Sequence, residues 1–387
     1  MPIIDVPQPE YMEDEEISMF YDAVGKFYDQ HAPEKRVLKW REDGQVEREF
    51  WREAGAAGLL GVSVPQEYGG HGGDFRHDMV VVNQQANKGV EGFAASLHNV
   101  IILPYLVRHG TEEQKKKWLP KLVSGELVSA IAMSEPAAGS DLQNITTTAL
   151  KDGNGYKING SKTFISNGQN ADFIIVVAKT DPAEGHKGIS LICLETEGAE
   201  GFQRGKKLDK IGLDAQDTSE LFFDDVFVPA DNVLGGVEGR GFYQLMGELP
   251  QERLLIAIQA MITIEKALET TVEYVKQRKA FGKTIWDFQN TQFTLADLKA
   301  RGTAAKVFVN DCTAKLLKGE LDVTTASIAK YWVTELQGEV VDKCLQLHGG
   351  WGYINDYPIA RMFRDSRVSR IYGGSNEIMK MLIARSM

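Results

Sequence analysis

The sequence predicts an α+β fold in which a strand-rich segment lies between two helical segments. Apolar residues recur every three or four positions from Glu15 to about Lys121, as they do in amphipathic helices. Short apolar runs bounded by turn residues follow from about Val128 to Val233, as in strands. Helical spacing returns after Gly241. Because the 387-residue chain exceeds the usual size of one domain, we expect two or three folding units.

The first helical segment begins with an apolar stripe at three- and four-residue spacing: Ile17, Phe20, Tyr21, Val24, Phe27 and Tyr28. The glycine-rich EYGGHGG at 67–73 and the pair His109–Gly110 predict breaks between helices. The longest apolar run, NVIILPYLV, is too short to span a bilayer. The N-terminus lacks a basic region followed by an apolar core. We therefore expect a cytoplasmic protein of a bacterium, or a mitochondrial-matrix protein whose targeting segment is missing.

The middle segment contains several predicted strands. The run YKINGSKTFISNG at 156–168 includes Asn159–Gly160, a pair that favours a hairpin turn. Further apolar runs bounded by turn residues predict more strands: FIIVVAKT, GISLICLE and ELFFDDVFVP. We expect a β domain here, with a hairpin at Asn159–Gly160.

The last segment predicts a long helix followed by further helices of a bundle up to Met387. One face of the long helix carries Leu254, Ile258, Met261, Leu268, Val272 and Val275. No internal repeat or extended linker interrupts the chain. We therefore predict a helical N-terminal domain at 1–127, a middle β domain at 128–235 and a helical C-terminal domain at 236–387.

Composition and motifs exclude several functions. A net charge of −11 and a pI of about 5.3 disfavour nucleic acid as a partner. The three cysteines form no CxxC pair and no histidine pair has HExxH spacing, so we expect neither disulfides nor a metal site. AFGKT at 280–284 ends like a phosphate-binding loop, but Gln277 stands where that loop needs its first glycine. GxGxxG and nucleophile-elbow motifs are missing as well, which excludes Rossmann and serine-hydrolase chemistry.

Polar, glycine-containing segments remain, and each by itself fits an ordinary turn or helix end. In chain order they are SEPAAGSD at 134–141, FISNG at 164–168, RKAFGK at 278–283, QLHGGWGY at 346–353 and YGGSNE at 372–377. Taken together and in this order, they resemble the acyl-CoA dehydrogenase family of flavoproteins along essentially the whole chain. LPQERLLIA at 249–257 and IYGGSNEIM at 371–379 most resemble the long-chain members.

The resemblance implies a helical N-terminal domain, a middle β barrel and a C-terminal four-helix bundle, assembled as a homotetramer that is a dimer of dimers. It implies FAD as the cofactor and an acyl-CoA as the substrate. The implied cofactor-binding residues are Ile131, Ala132, Met133, Ser134, Gly139, Ser140, Phe164, Ile165, Ser166, Arg278, Phe281, Gln289, Gln346, Leu347, His348, Gly349, Gly350, Ser375, Asn376 and Glu377. The implied substrate-binding residues are Ser140, Tyr243, Arg253, Gly373 and Gly374.

The reaction implied is removal of the α proton and the β hydride of a medium- to long-chain acyl-CoA, giving a trans-2-enoyl-CoA in fatty-acid β-oxidation. Many family members carry the catalytic glutamate where this chain has Gly373. Long-chain and isovaleryl members place it on another helix, at a position that matches Glu252. Glu252 is therefore predicted to be the base, with Glu377 as the weaker alternative. The Gly373 N–H would still donate to the thioester oxygen.

Three alternatives stay open at this point. An acyl-CoA oxidase would pass electrons to O₂ rather than to an electron-transferring flavoprotein, the acceptor that the family implies. An isovaleryl-type dehydrogenase would take a branched acyl group. A catalytically silent flavin-binding scaffold would keep the fold without the reaction, although retention of Glu252 argues against it.

Overall fold

A computed structural model describes residues 2–387, which form two compact units. The sheet unit comprises residues 16–210 and 214–248. The helical unit comprises the N-terminal segment up to residue 15, residues 211–213 and residues 249–387. The predicted order of helices, strands and helices is confirmed. The division at 127/128 and 235/236 stays a prediction.

The sheet unit begins with helices whose ends match the predicted breaks. They are α1 (Glu15–His31), α2 (Glu34–Asp43), α3 (Arg48–Ala56), α4 (Phe75–Asn87), α5 (Leu103–His109) and α6 (Glu112–Val123). A π-helical turn, Leu97–Ile102, leads directly into α5. Thr111 starts α6 with a capping box, in which its side chain accepts from the Gln114 N–H.

The strands of this unit form one curled sheet. They are β1 (Ser129–Ala132), β2 (Thr148–Asp152), β3 (Gly155–Ser166), β4 (Phe173–Lys179), β5 (Ile189–Glu195), β6 (Phe202–Lys207) and β7 (Thr218–Pro229). The strand order is β1-β4-β2-β3-β7-β6, with β5 paired to β4. β1 and β4 run parallel, whereas β2–β3, β3–β7, β4–β5 and β6–β7 are antiparallel.

β4 is buried on both faces, which explains its continuous apolar sequence. One face packs in a cluster with the helices, where the rings of Phe173 and Trp118 lie 5.1 Å apart. The other face packs in a second cluster with Ile158 of β3 and Phe223 of β7. β4 is thus a central strand of this unit, and β1 is held beside it.

The predicted hairpin at Asn159–Gly160 was wrong. β3 runs straight through this pair, and its pairing with β7 shifts register there. The actual turn joins β2 to β3, where Asp152 pairs with Gly155, so the two-residue loop is Gly153–Asn154, with Gly153 at φ of +58°. Gly160 serves a close approach instead, because a Cβ on it would lie 2.8 Å from the Thr147 Cα.

The helical unit is built on α7 (Gly241–Gln277), which begins in the sheet unit and contains Pro250. Its predicted apolar stripe is buried. The other helices are α8 (Gln289–Leu317), α9 (Val323–His348), α10 (Pro358–Ser366) and α11 (Asn376–Ala384). A short hairpin of β8 (Lys279–Ala280) and β9 (Lys283–Thr284) separates α7 from α8. No helix among the described residues is long and apolar enough to cross a membrane.

Candidate active site

Gly373 and Gly374, which we call the glycine corner, form a tight turn just before α11. Both adopt positive φ, +64° at Gly373 and +91° at Gly374, a region that strongly favours glycine. A Cβ on Gly373 would lie 2.3 Å from the Cδ1 of Ile256. A Cβ on Gly374 would lie 3.9 Å from an Nη of Arg253. The corner therefore packs directly against α7.

Glu252 lies on the face of α7 that the glycine corner covers. It is buried, with 5% of its surface exposed, and stands one helical turn before Ile256. Residues four apart lie on the same side of a helix, and side chains tilt toward the helix N-terminus. The helix geometry thus brings the predicted base and the glycine corner to the same part of the helical unit.

Arg253 supplies a buried positive charge beside this pair. Only 5% of its surface is exposed, and its Nη1 donates to the Ser327 hydroxyl over 3.4 Å. Burial lowers the pKa of Arg253, and the nearby charge of Glu252 partly offsets this. The Nε is buried without a hydrogen-bond partner among the described residues. A buried N–H of this kind is costly unless something accepts from it, which suits a residue that contacts a ligand.

Glu377 has a different environment from Glu252. It is exposed in the first turn of α11. Its own backbone N–H is the largest influence on its pKa, followed by the Ser375 side chain, and together they lower it. An exposed carboxylate with a lowered pKa is a poor general base near neutral pH. These features favour Glu252 over Glu377 as the base.

A buried polar network supports the glycine corner from behind. Lys330 of α9 is fully buried, and its Nζ donates to the Gly374 carbonyl over 2.7 Å and to the Asn376 Oδ1 over 2.9 Å. The Asn376 Nδ2 donates to the Thr334 hydroxyl and to a carboxylate oxygen of Glu335. Both ends of the Asn376 side-chain amide are therefore occupied within the helical unit, which leaves its backbone for any cofactor contact.

Sequence reasoning missed Lys330, Thr334 and Glu335. The one available signal was a lysine inside the otherwise apolar helical run ASIAKYWV. Lysine is rarely buried without a specific partner, but the sequence does not show that this one is buried.

In the sheet unit, a buried ion pair between Glu135 and Lys162 fixes the segment that follows β1. Glu135 accepts from the backbone N–H groups of Thr146 and Thr147 and from Lys162, whose Nζ lies 3.0 Å from its Oε1. Lys162 also donates to the Met133 carbonyl over 2.9 Å. Burial favours a higher pKa for Glu135, but the Lys162 charge and these hydrogen bonds outweigh it and lower the pKa to about 2. Lys162 was also missed by sequence reasoning.

Beyond these contacts, part of the same segment is exposed to solvent. Gly139 and Ser140 are exposed, and a Cβ on Gly139 would meet nothing within 4 Å. Ile131 and Ala132 end β1, and Met133 and Ser134 continue the chain from it.

The FISNG segment lies beside SEPAAGSD, as the resemblance requires. The Thr163 N–H donates to the Ser134 carbonyl over 2.9 Å. Phe164, the next residue, has φ of +62° and is 69% exposed. A large apolar residue in this strained and exposed state points to a ligand-contacting role. Ile165 is buried in the sheet, whereas Ser166 is half-buried at the end of β3.

In the helical unit, Tyr274 connects the two other predicted cofactor segments. Its hydroxyl donates to the His348 carbonyl, and its ring stacks on the His348 ring with 4.3 Å between centroids. Its carbonyl accepts from the N–H of Arg278. The His348 ring is buried, and its Nδ1 is hydrogen-bonded to the Cys344 carbonyl.

The other predicted residues of these segments are open to solvent. Arg278, Gln289, Gln346, Gly349 and Gly350 are exposed, and Leu347 is half-buried. Phe281 occupies the tip of the hairpin with φ of +53° and is 94% exposed.

Tyr243, a predicted substrate residue, lines a cavity of about 520 Å³ in the sheet unit. The guanidinium of Arg240 lies 5.6 Å from its ring centroid. Arg108 and His109 also line the cavity and pair with the buried carboxylate of Glu248. Among residues 2–387, no group of His, Cys, Asp and Glu side chains is arranged to hold a metal ion.

Family models match nearly the whole chain. The acyl-CoA dehydrogenase N-terminal, middle and C-terminal domains match residues 14–126, 130–226 and 239–387. The mitochondrial long-chain specific acyl-CoA dehydrogenase of Sus scrofa is 48% identical over 377 residues, covering 96% of this chain and 86% of the relative.

Solved structures share the architecture. An acyl-CoA dehydrogenase from Geobacillus kaustophilus superposes with a TM-score of 0.95 at 48% identity, covering 98% of this chain and 99% of the other. A glutaryl-CoA dehydrogenase from Mycobacterium smegmatis in complex with FADH2 gives 0.89 at 26% identity, covering 100% and 97%. The predicted fold class, an α+β acyl-CoA dehydrogenase-like fold, is confirmed: its middle domain is a curled sheet between two helical domains. The chain therefore belongs to the acyl-CoA dehydrogenase family of FAD-dependent oxidoreductases.

Proposed function

We propose that this protein oxidises medium- to long-chain acyl-CoA thioesters to trans-2-enoyl-CoA, with Glu252 as the base. The observation that carries the assignment is the contact between the glycine corner and α7. The Cβ direction of Gly373, where many relatives carry their glutamate, points at Ile256, one turn from Glu252. A carboxylate at either position would thus serve the same part of the helical unit.

Glu252 removes the α proton, and fixed donors stabilise the charge that develops on the thioester oxygen. No hydrogen bond joins the Gly373 N–H to another of the described residues, so it is available to the thioester. An α C–H is a weak acid, and a preorganised donor at the carbonyl oxygen lowers the barrier by about 3–4 kcal/mol in comparable sites. Arg253 adds a positive charge nearby, and its buried Nε has no hydrogen-bond partner among the described residues.

FAD, when bound, accepts the hydride from the β carbon. The residues fit such a group: Phe164 presents an exposed ring, and open backbone at Gly139 and Ser140 is held in place by the Glu135–Lys162 pair. In the helical unit, Arg278 offers an exposed guanidinium suited to pyrophosphate oxygens. Gly349, Gly350, Gln289 and Gln346 offer accessible backbone and amide groups.

We propose a homotetramer, cytoplasmic in a bacterium or located in the mitochondrial matrix, that passes electrons to an electron-transferring flavoprotein. Large apolar side chains exposed near the predicted cofactor segments support the oligomer: Phe281, Trp351 and Tyr353 are 94%, 47% and 88% exposed. Sedimentation equilibrium of the holoprotein tests this, and a monomer at micromolar concentration would contradict it.

The deciding experiment is anaerobic titration of the purified flavoprotein with straight-chain and branched acyl-CoAs of increasing length. We expect bleaching of the flavin, fastest with medium to long straight chains. Preference for isovaleryl-CoA would reassign the substrate, and rapid peroxide formation in air would indicate an oxidase. A protein that binds no FAD, or whose flavin no acyl-CoA reduces, would refute the proposed function.

A further inference from the structure

Lys330 is an unusual group to find behind the glycine corner. It is fully buried in α9, and its hydrogen bonds go to no carboxylate among the described residues, although the charges of Glu377 and Glu335 act on it. Its neighbours are the Gly374 carbonyl and the Asn376 Oδ1, both neutral acceptors. Keeping a buried ammonium charged costs free energy, because burial removes its hydration. We therefore expect the hydrogen bonds of Lys330 to have a specific role.

The contacts of Lys330 pin one end of the glycine corner. On the other side, the N–H groups of Ile371 and Tyr372 donate to the Val368 carbonyl. Gly373 and Gly374 thus connect two fixed ends, while their own backbone is the most flexible that a chain can have. Without the Lys330 contact at Gly374, the direction of the Gly373 N–H is no longer fixed from that side.

We propose that Lys330 is a positioning residue, whose ammonium holds the Gly374 carbonyl so that the Gly373 N–H points at the thioester oxygen. This inference rests on the proposed function. The same ammonium, together with Arg253, contributes positive charge where the substrate becomes enolate-like. Lys330 does not touch the substrate and acts through the corner.

The test compares Lys330→Met with Lys306→Met. Lys306 is a half-buried lysine of α8 that pairs with Glu265 of α7, away from the corner, so its variant controls for loss of a lysine in the same unit. We expect Lys330→Met to keep FAD and to bind acyl-CoA, but to reduce its flavin about 100-fold more slowly in stopped-flow bleaching. Lys306→Met should reduce its flavin at the wild-type rate.

A second readout follows the thioester carbonyl directly. Infrared difference spectra of bound enoyl-CoA labelled with ¹³C at the carbonyl report how strongly that oxygen is hydrogen-bonded. The stretch should lie below its solution value in the wild type and return toward it in Lys330→Met. A role in stability alone would lower the melting temperature and leave the frequency of the folded protein unchanged.

Two further measurements keep the inference testable if Lys330→Met does not fold. Lys330→Gln retains a donor for the Gly374 carbonyl and should show an intermediate rate and frequency. In the wild type, the carbonyl frequency should rise as Lys330 loses its proton, with a midpoint at about pH 8. The charged groups that face Lys330 are Arg253 of α7, Glu335 of α9 and Glu377 of α11, and each is removed in turn to assign that midpoint.

The outcomes separate this inference from the proposed function. If no acyl-CoA bleaches the wild-type flavin, the proposed function fails. If the wild type is bleached but folded Lys330→Met or Lys330→Gln matches it in rate and carbonyl frequency, only the role of Lys330 fails. The same holds if Lys306→Met is slowed equally, or if the wild-type frequency does not change with pH.

Discussion

Two buried lysines, one in each unit, have different hydrogen-bond partners and, we infer, different roles. Lys162 in the sheet unit lies 3.0 Å from the Glu135 carboxylate and also holds the Met133 carbonyl. Lys330 in the helical unit holds the Gly374 carbonyl and an amide oxygen, with no carboxylate in contact. Both lysines fix a loop that carries predicted ligand-binding backbone.

The difference lies in whether a carboxylate contacts the lysine directly. Lys162 and Glu135 neutralise one another, so the segment after β1 is held without a local charge excess. At Lys330 no carboxylate is in contact: burial and then the Arg253 charge lower the pKa of Lys330 to about 8, and the charges of Glu377 and Glu335 only partly offset this. A buried lysine without a contacting carboxylate suits a place where negative charge develops during a reaction, whereas a directly paired lysine suits a scaffold.

We expect the largest effect from replacing Glu252, the proposed base in the helical unit. We expect Glu252→Gln to retain FAD and acyl-CoA binding but to reduce its flavin about 10⁴-fold more slowly, because the amide keeps the shape and cannot accept the α proton. Stopped-flow bleaching measures this. Glu377→Gln is the matched control and should lose at most cofactor affinity. An active Glu252→Gln with an inactive Glu377→Gln would reverse the assignment of the base.

Breaking the compensated pair should mainly destabilise the sheet unit. Lys162→Met leaves a buried carboxylate alone, so we expect a loss of about 3–5 kcal/mol in the free energy of unfolding and weaker FAD retention. Replacing both partners, as in Lys162→Met with Glu135→Leu, should restore much of that stability. Urea denaturation of the two variants measures the difference. Equal stability of the single and double variants would show that the Glu135–Lys162 ion pair does not stabilise the sheet unit.

Moving the base to the glycine corner tests whether Gly373 and Glu252 serve the same site in the helical unit. In a Glu252→Gly background, Gly373→Glu should recover little flavin reduction, because φ is +64° and its Cβ would lie 2.3 Å from Ile256 Cδ1. Adding Ile256→Ala makes room, and we expect about tenfold recovery over Glu252→Gly, larger for short acyl chains.

The control for this series is Glu252→Gly with Ile256→Ala, which has the room but no carboxylate. Activity in the control equal to that of the triple variant would mean that the corner and Glu252 do not serve one site.

Arg278 tests whether an exposed charge of the helical unit contacts the cofactor. We expect Arg278→Ala to weaken FAD binding about 10- to 100-fold, the usual loss for a charged hydrogen bond, without changing the circular dichroism spectrum. Lys279→Ala, an equally exposed neighbour, is the control. Reconstitution of apoprotein with FAD, followed by fluorescence, gives both affinities. Equal losses in the two variants would indicate a general charge effect.

The smallest expected effect is a pH dependence of stability that belongs to Lys330. Its pKa is 10.5 when unfolded and about 8 when folded, so the unfolded state binds more protons between these values. The free energy of unfolding should therefore rise with pH across this window, relative to Lys330→Met, which has no proton to lose. Urea denaturation at several pH values checks this. Parallel curves for wild type and variant would mean that folding does not lower the pKa of Lys330.

The sequence by itself determined the order of structural parts and the segments that carry the chemistry. Apolar spacing identified the helices and β4, because these patterns reflect which side chains face a core. The choice of Glu252 also came from the sequence, through the glycine at 373 and the resemblance. Asn159–Gly160 marks the limit of local signals: the pair favours a turn, but its pairing with β7 and the closeness of Thr147 make it part of a strand.

Only the tertiary structure decided how those segments are supported. Lys330 and Gly374 are 44 residues apart, and Lys162 and Glu135 are 27 apart, so no local pattern predicts that either lysine is buried or what it holds. The structure also showed that the His348 Nδ1 and the Asn376 side-chain amide are occupied internally, although they lie in segments that the sequence assigned to the cofactor. Burial and the direction of a side chain depend on which elements pack together, and that is settled by contacts between distant parts of the chain.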